Sequence, residues 1–362
     1  MHLQSFFSVV LFLAPQVWTL PADVDRQSVL DITLSQVGNT QIKAVVKNIG
    51  EEEVTFVHLN FFRDNAPVKK VAVYQNNAQI KFEGIKRRIK SQGLTADALT
   101  TLGVGKTVED VFDIASTTDL SRGGSLTVHA NGLVPLVREG AVIRHLPYHS
   151  NRLKIKVDAV EASQVVKAIP TLDHHTLNRR TKISCNNATL NQQFTDALRK
   201  ASSLAAAAAT AAREGSADKF QEYYKTTNDS VRATVAARLD AVAREANSTT
   251  SSTTYYCSDE FGYCDSNVLA YTIPSQNAIA NCDMYYSYLP EISESCHHQD
   301  RATTSLHEFT HAPGVFSPGT EDYGYGYAAA TALQEPEAVL NADTYALYSN
   351  GKFRPSPWRK QN

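Results

Sequence analysis

Cysteine is missing from the first 184 residues and then occurs five times, at 185, 257, 264, 282 and 296, in a chain of 362. No two are spaced Cys-x-x-Cys, which excludes the usual structural zinc cluster. Charge of one sign is not in excess: the formal net charge is −2, which argues against a general binder of nucleic acid or of membrane surfaces. Long apolar runs are also missing. The longest, Phe6–Ala14, is too short to span a bilayer. The first 170 residues hold no glycine-rich phosphate loop and no cluster of metal-ligating side chains. Their histidines are scattered, as surface or core residues are.

What is present divides the chain. Residues 1–20 read as a signal peptide, with an apolar core broken by Pro15 and polar chain starting near Ala22-Asp23. Secretion, and no membrane anchor, is the expectation. With 43% hydrophobic and 20% charged residues the remainder is globular, and its length supports two cores. From about 23 to 170 the hydrophobic period is two, with strands expected at 29–34, 41–46, 54–61, 125–129 and 153–157, separated by Gly38-Asn39, Asn48-Ile49-Gly50 and Gly123-Gly124. The expectation is a small β-sandwich.

Near residue 170 the texture changes. Pro170 and Asp173-His174-His175 lead to the dibasic pair Arg179-Arg180, in a polar stretch that suits a linker or processing site. After it the pattern is helical, with helices expected over 193–213, 218–224 and 229–246. All five cysteines lie beyond Arg180, as do the three Asn-x-Ser/Thr glycosylation sequons, at Asn187, Asn228 and Asn247. Charge divides with pattern. Residues 181–362 carry 14 Lys and Arg against 20 Asp and Glu, formally −6, whereas residues 1–180 are formally +4.

The stretch with most chemistry is Leu306-His307-Glu308-Phe309-Thr310-His311. On a helix His307 and His311 share a face, so two imidazoles converge on one metal ion, and Glu308 lies within reach of a water held there. A hydrolytic zinc needs a third protein ligand and an open position. Ser317 stands where a third histidine would be in one large family. Glu335 and Glu337 flank Pro336 and look like a helix start. Asp322, in Gly319-Thr320-Glu321-Asp322-Tyr323-Gly324-Tyr325-Gly326, is the better candidate, eleven residues past His311 on a glycine-rich turn. The competing class is a glycosylated adhesin or cell-wall protein whose His-Glu-x-x-His is only a wet helix face, although such a protein has no need of Glu308.

Those two segments, with Asn341-Ala342-Asp343-Thr344-Tyr345, resemble the signature of the deuterolysin (aspzincin) metalloproteases, peptidase family M35, secreted fungal neutral proteases. The resemblance implies an α+β chain: a mainly helical, zincin-like catalytic domain over 181–362, preceded by a small β-rich, sandwich-like propeptide over 21–180, cut between Arg180 and Thr181. It implies a monomer with one zinc ion on His307, His311 and Asp322, Glu308 as general base, and Tyr325 (or Tyr323) as donor to the oxyanion. Asp343 would accept a hydrogen bond from a ligand histidine, on a helix expected over 337–349. Cys185 would pair with Cys257 and Cys264 with Cys282, leaving Cys296 over. The substrates would be proteins, basic ones such as histones and protamines being preferred, in keeping with the acidic second half. The propeptide has no cysteine to offer the metal, so inhibition by it is expected to be steric or tied to folding. N-terminal sequencing of the secreted protein should therefore read from Thr181; a fully active form that retains the earlier residues would make the first half an accessory domain.

Overall fold

A computed structural model describes residues 28–170, 183–248 and 250–352. The signal segment, the Arg180–Thr181 bond and the tail after Lys352 lie outside the described residues. The architecture is α+β. Its first half contains strands β1 (Leu30–Gln36), β2 (Gln41–Asn48), β3 (Val54–Val57), β4 (Ala72–Gln75), β5 (Ala78–Gln79), β6 (Lys86–Ile89), β7 (Leu99–Leu102), β8 (Thr107–Asp113), β9 (Gly124–His129), β10 (Asn131–Arg138), β11 (Ala141–His149) and β12 (Leu153–Val157), then a short helix α1 (Ala159–Ser163). The second half runs β13 (Ile183–Ser184), α2 (Ala188–Glu214), α3 (Ala217–Tyr224), α4 (Asp229–Asn247), β14 (Thr254–Tyr256), β15 (Val268–Ile273), β16 (Ala278–Asn281), α5 (Asp283–Ser287), α6 (Arg301–His311), α7 (Gly326–Ala330), α8 (Glu335–Val339) and α9 (Ala342–Lys352).

The first half is β-rich as expected, but it is built of three small sheets rather than two facing ones: β1-β2-β8, β11-β10-β3-β7 and β12-β9-β4-β5. Alternation sets their inner faces; in β1 and β2 the buried residues include Leu30, Ile32, Leu34, Ile42, Ala44 and Val46. The strand expected over 54–61 ends at Val57. Asn60 and Arg63 take left-handed φ values of 60° and 73°, and the chain turns so that Phe61 packs edge-on against Phe56 and Phe62.

In the second half α2 and α4 pack along each other. Six of the nine buried residues of α2 are alanines, which lets α4 approach closely. Both helices begin on sequon asparagines: Asn187 accepts from the backbone N–H groups of Thr189 and Leu190, and Asn228 from that of Ser230. These two and Asn247 are exposed. The structure forms the disulfides Cys185–Cys257 and Cys264–Cys282; Cys296 belongs to neither. Among the described residues no helix is long and apolar enough to cross a membrane.

The halves share a sheet. Strand order in the second half's sheet is β13-β14-β16-β15-β6, so β6, from the first half, is its outermost strand, antiparallel to β15. A common apolar cluster underlies the join, with Val57, Leu59, Ile85 and Ile89 from one side and Val268, Tyr271 and Ile273 from the other.

One fully buried cation steadies this core. Arg238 of α4 donates to the carbonyl of Pro318 at 2.8 Å, and its guanidinium lies over the rings of Phe316 and Tyr345. It thereby pins the loop that joins α6 to the Asp322 turn. Arg238→Met would remove the hydrogen bond to the Pro318 carbonyl and the ring contacts, a loss of about 1–3 kcal/mol, to be read as a lower urea midpoint of the purified protein.

Candidate active site

Helix α6 starts at Asp300, whose carboxylate accepts from the Thr303 N–H, and every residue from Ala302 to His311 is buried. Four residues apart, His307 and His311 present their Nε2 atoms 3.1 Å from each other. Beyond His311 the chain turns back under the helix end. The Thr320 N–H donates to the Thr310 carbonyl at 2.9 Å, and the Thr310 and Thr320 hydroxyls bond at 2.7 Å. Gly319 is required there by close approach, since a Cβ would stand 2.3 Å from the His311 carbonyl oxygen. Of Gly319, Gly324 and Gly326 on this turn, only Gly326 has a positive φ, 76°.

The return delivers Asp322. Its Oδ1 lies 3.3 Å from His307 Nε2 and its Oδ2 3.3 Å from His311 Nε2. Among the described residues these three form the one group of His, Cys, Asp or Glu atoms close enough to share a metal ion. Bonds of about 2.0–2.1 Å in a tetrahedron set ligand atoms about 3.3–3.4 Å apart, so the observed spacing of 3.1–3.3 Å suits a zinc-sized ion. Both outer nitrogens are held. His311 Nδ1 donates to the Thr320 carbonyl at 3.0 Å, leaving its Nε2 lone pair for the centre, and His307 Nδ1 faces both Arg88 Nη1 and, at 3.3 Å, Asp343 Oδ1.

Glu308 is buried beside them. Its Oε2 accepts from the Thr272 hydroxyl of β15 at 2.6 Å, while Oε1 has no protein partner. Burial pushes its carboxyl up to about 7, against the opposing pull of His311 and Thr272. Asp343 behaves oppositely. Burial would raise it, but Arg88, His307 and the Gly326 N–H together outweigh burial, and the carboxyl is held well below its ordinary range. Its Oδ2 also accepts from the Gly326 N–H at 2.5 Å. The helix expected over 337–349 is two helices, α8 and α9, broken at Leu340-Asn341. The break has a purpose that the sequence did not disclose. Asn341 Oδ1 accepts from the N–H groups of Tyr323 and Gly324 at 2.8 and 3.1 Å, and its Nδ2 donates to the Gly324 carbonyl, clamping the turn that carries Asp322. Glu335 and Glu337 both lie in the first turn of α8, outside the metal-sized group.

The first half, read above as carrying no chemistry, reaches into this site. Arg88 of β6 is buried against His307 Nδ1 and donates to Asp343 Oδ1. The Tyr325 hydroxyl is held, donating to the Arg87 carbonyl at 2.9 Å and accepting from Asn60 Nδ2 at 2.8 Å. Burial, and next the Asp322 carboxylate, push its phenol well above the ordinary value, so it remains a donor. Tyr323 lines a neighbouring cavity with Lys69 and Glu321.

Two converging imidazoles with a carboxylate, a second carboxylate alongside, and a phenol facing a peptide carbonyl are the working parts of a His-Glu-x-x-His metallopeptidase. Residues 1–356 match the model of the deuterolysin metalloprotease (M35) family. The chain is 60% identical over 351 residues to penicillolysin of Penicillium citrinum, covering 97% of this chain and 98% of that protein. It is also 60% identical over 353 residues to a neutral protease 2 homolog of Aspergillus oryzae, with the same coverage, and 56% identical over 349 residues to one of Aspergillus fumigatus, covering 96% of this chain and 92% of that protein. The chain belongs to the deuterolysin metalloprotease family. It is a zinc metalloendopeptidase acting on peptide or protein substrates, and the adhesin reading falls.

The geometry separates the carboxylates. Asp322→Ala should strip zinc from the secreted enzyme, whereas Asp343→Ala should weaken it only about ten- to a hundredfold, both measured by metal analysis against a graded chelator. Equal loss from both variants would contradict the separation.

Proposed function

We propose that the zinc of this endopeptidase is held by His307, His311 and Asp322, and that residues 21–180 are a propeptide, removed on the secretory route by cleavage after Arg180. The carrying observation is the triangle of 3.1–3.3 Å between the two Nε2 atoms and the Asp322 carboxylate, with Glu308 Oε1 buried beside it. Bound there, zinc would act as a Lewis acid on the substrate carbonyl and make water more acidic.

The protein's own residues do the rest. Glu308 takes a proton from the attacking water at Oε1 and passes it to the departing nitrogen; the Thr272 hydroxyl fixes the other oxygen, and a carboxyl near 7 suits both roles. Tyr325 donates to the oxygen of the carbonyl under attack, a role supported by its bond to the Arg87 carbonyl. Asp343 orients His307, and Thr320 orients His311.

Latency is steric. Strand β6 pairs with β15 over the site, Arg88 occupies the space beside His307 and Asp343, and Gln299 holds β6 through the Ile89 carbonyl at 2.8 Å. A substrate peptide cannot lie there until β6 leaves. The opposite net charges of the halves favour their docking, and an acidic catalytic half favours basic substrates. The mature enzyme acts as a monomer.

Glu308→Gln tests the assignment. The variant should retain zinc and lose kcat by about 10²–10⁴-fold, measured on a fluorogenic peptide alongside metal analysis. Turnover near the parent rate would remove Glu308 from the mechanism.

A further inference from the structure

We infer that Glu321 is the acid of a substrate subsite for a lysine or arginine side chain, and that Lys86 stands in for the substrate there while the first half is in place. The inference rests on the reading that β6 lies where substrate lies. Four observations carry it.

The first is register. Strand β6 runs antiparallel to β15, with Lys86 opposite Thr272, Arg87 opposite Tyr271 and Arg88 opposite Ala270. An extended peptide adds to a free sheet edge in this way, with its side chains alternating between the two faces. Because the Arg87 carbonyl accepts from Tyr325, the Arg87–Arg88 peptide bond occupies the place of the bond to be cut. Lys86 is then the second residue before that bond.

The second is alternation. Lys86 and Arg88 are on one side of the strand, where they meet Glu321 and Asp343 of the second half. Arg87, on the other side, pairs with Asp64 of its own half and with Asp265.

The third concerns what Glu321 would lose. The cations bonded to its carboxylate are Lys86 at 2.5 Å and Lys69 at 3.3 Å, both from the first half. The Glu321 backbone is fastened from within the second half: its N–H donates to the Leu340 carbonyl at 2.6 Å, and its carbonyl accepts from the Ala342 N–H at 3.0 Å. Departure of the first half therefore removes both ammonium groups and leaves the carboxylate in position.

The fourth is the charge of the face left behind. A cavity lies along this join, and most of its wall, Lys69, Lys70, Lys86 and Arg87 included, belongs to the first half and leaves with it. The second half contributes Glu321, Asp322, Glu335 and Glu337 to the same cavity, beside Tyr323 and Tyr325. Departure of the first half therefore leaves an open acidic face around Glu321. An exposed charge pair adds little, but a carboxylate held in place beside the reacting bond discriminates through kcat/KM.

The test uses the secreted, processed enzyme and quenched fluorogenic peptides that differ only at the second residue before the cleaved bond, bearing Lys, norleucine or Glu. For the parent enzyme kcat/KM should favour Lys over norleucine about tenfold and disfavour Glu, and added salt should shrink that ratio. Glu321→Gln should bring the Lys-to-norleucine ratio to about two, and Glu321→Lys should favour the Glu peptide, with zinc content measured for each variant. A parent enzyme indifferent to this position overturns the inference with no variant needed. So does a Glu321→Gln enzyme whose ratio is unchanged, because Glu321 would then only anchor the first half. Neither result touches the zinc and Glu308 assignments, which are tested separately by metal analysis of Asp322→Ala and by the turnover of Glu308→Gln.

Discussion

A helix buried from Ala302 to His311 that carries two imidazoles, a carboxylate and four hydroxyls obliges its surroundings to supply partners. Much of the second half is the set of answers. Asp300 starts the helix, Thr272 meets Glu308, the Thr320 carbonyl orients one imidazole and Asp343 the other. The glycine at 319 exists so that the chain can pass close enough to give the Thr320 answer, and Asn341 exists so that the turn after it stays folded. The two Nε2 atoms and the Glu308 Oε1 are left facing the centre while their neighbours on the same side chains are fastened. Their convergence follows from the fastening of their neighbours.

The same economy explains the join between the halves. Strand β15 is the last of the strands that the second half itself contributes, and it lies beside Glu308, so the strand that completes the sheet, β6, also covers the site. Unpaired strand edges attract other strands. In the full chain that tendency is met by a strand with three consecutive cations, Lys86, Arg87 and Arg88, each bonded to an acid. Occlusion and sheet completion are one structural event, reinforced by charge, and no cysteine thiolate is needed for it.

The sequence was informative where spacing is short. His307, Glu308 and His311 are neighbours on one helix face whatever the rest of the chain does, and the helices after Arg180 follow a clear period, missing mainly the five residues from Ala188 that Asn187 caps. Asp322 was legible because eleven residues with glycines allow little else. Roles set by long-range packing were hidden. Arg238 sits in a run that reads as an ordinary apolar stripe with a charge between turns, and only the fold brings Pro318, Phe316 and Tyr345 to it. Arg88 lies 219 residues from the histidine it touches. Strand β6 itself is four residues, with three charges in a row and hence no alternation of apolar with polar, so periodicity had nothing to detect. Asn341 offered a signal, an asparagine just ahead of a helix, but its clamp reaches back 17 and 18 residues, beyond any local pattern.

The paired edge of β15 bears on how such an enzyme behaves once concentrated. Other proteins blunt a bare edge with lysine, proline or a bulge, but each of those remedies would also refuse a substrate backbone. On the proposed removal of the first half, the processed molecule would therefore keep an open strand at the mouth of its own scissors. Any loosened stretch of a neighbouring molecule that lies down on that strand is placed for cutting, so crowding and self-digestion become the same encounter. Losses on storage should scale with the second power of concentration, and an extended peptide ligand that cannot be cut should protect the enzyme by filling the edge.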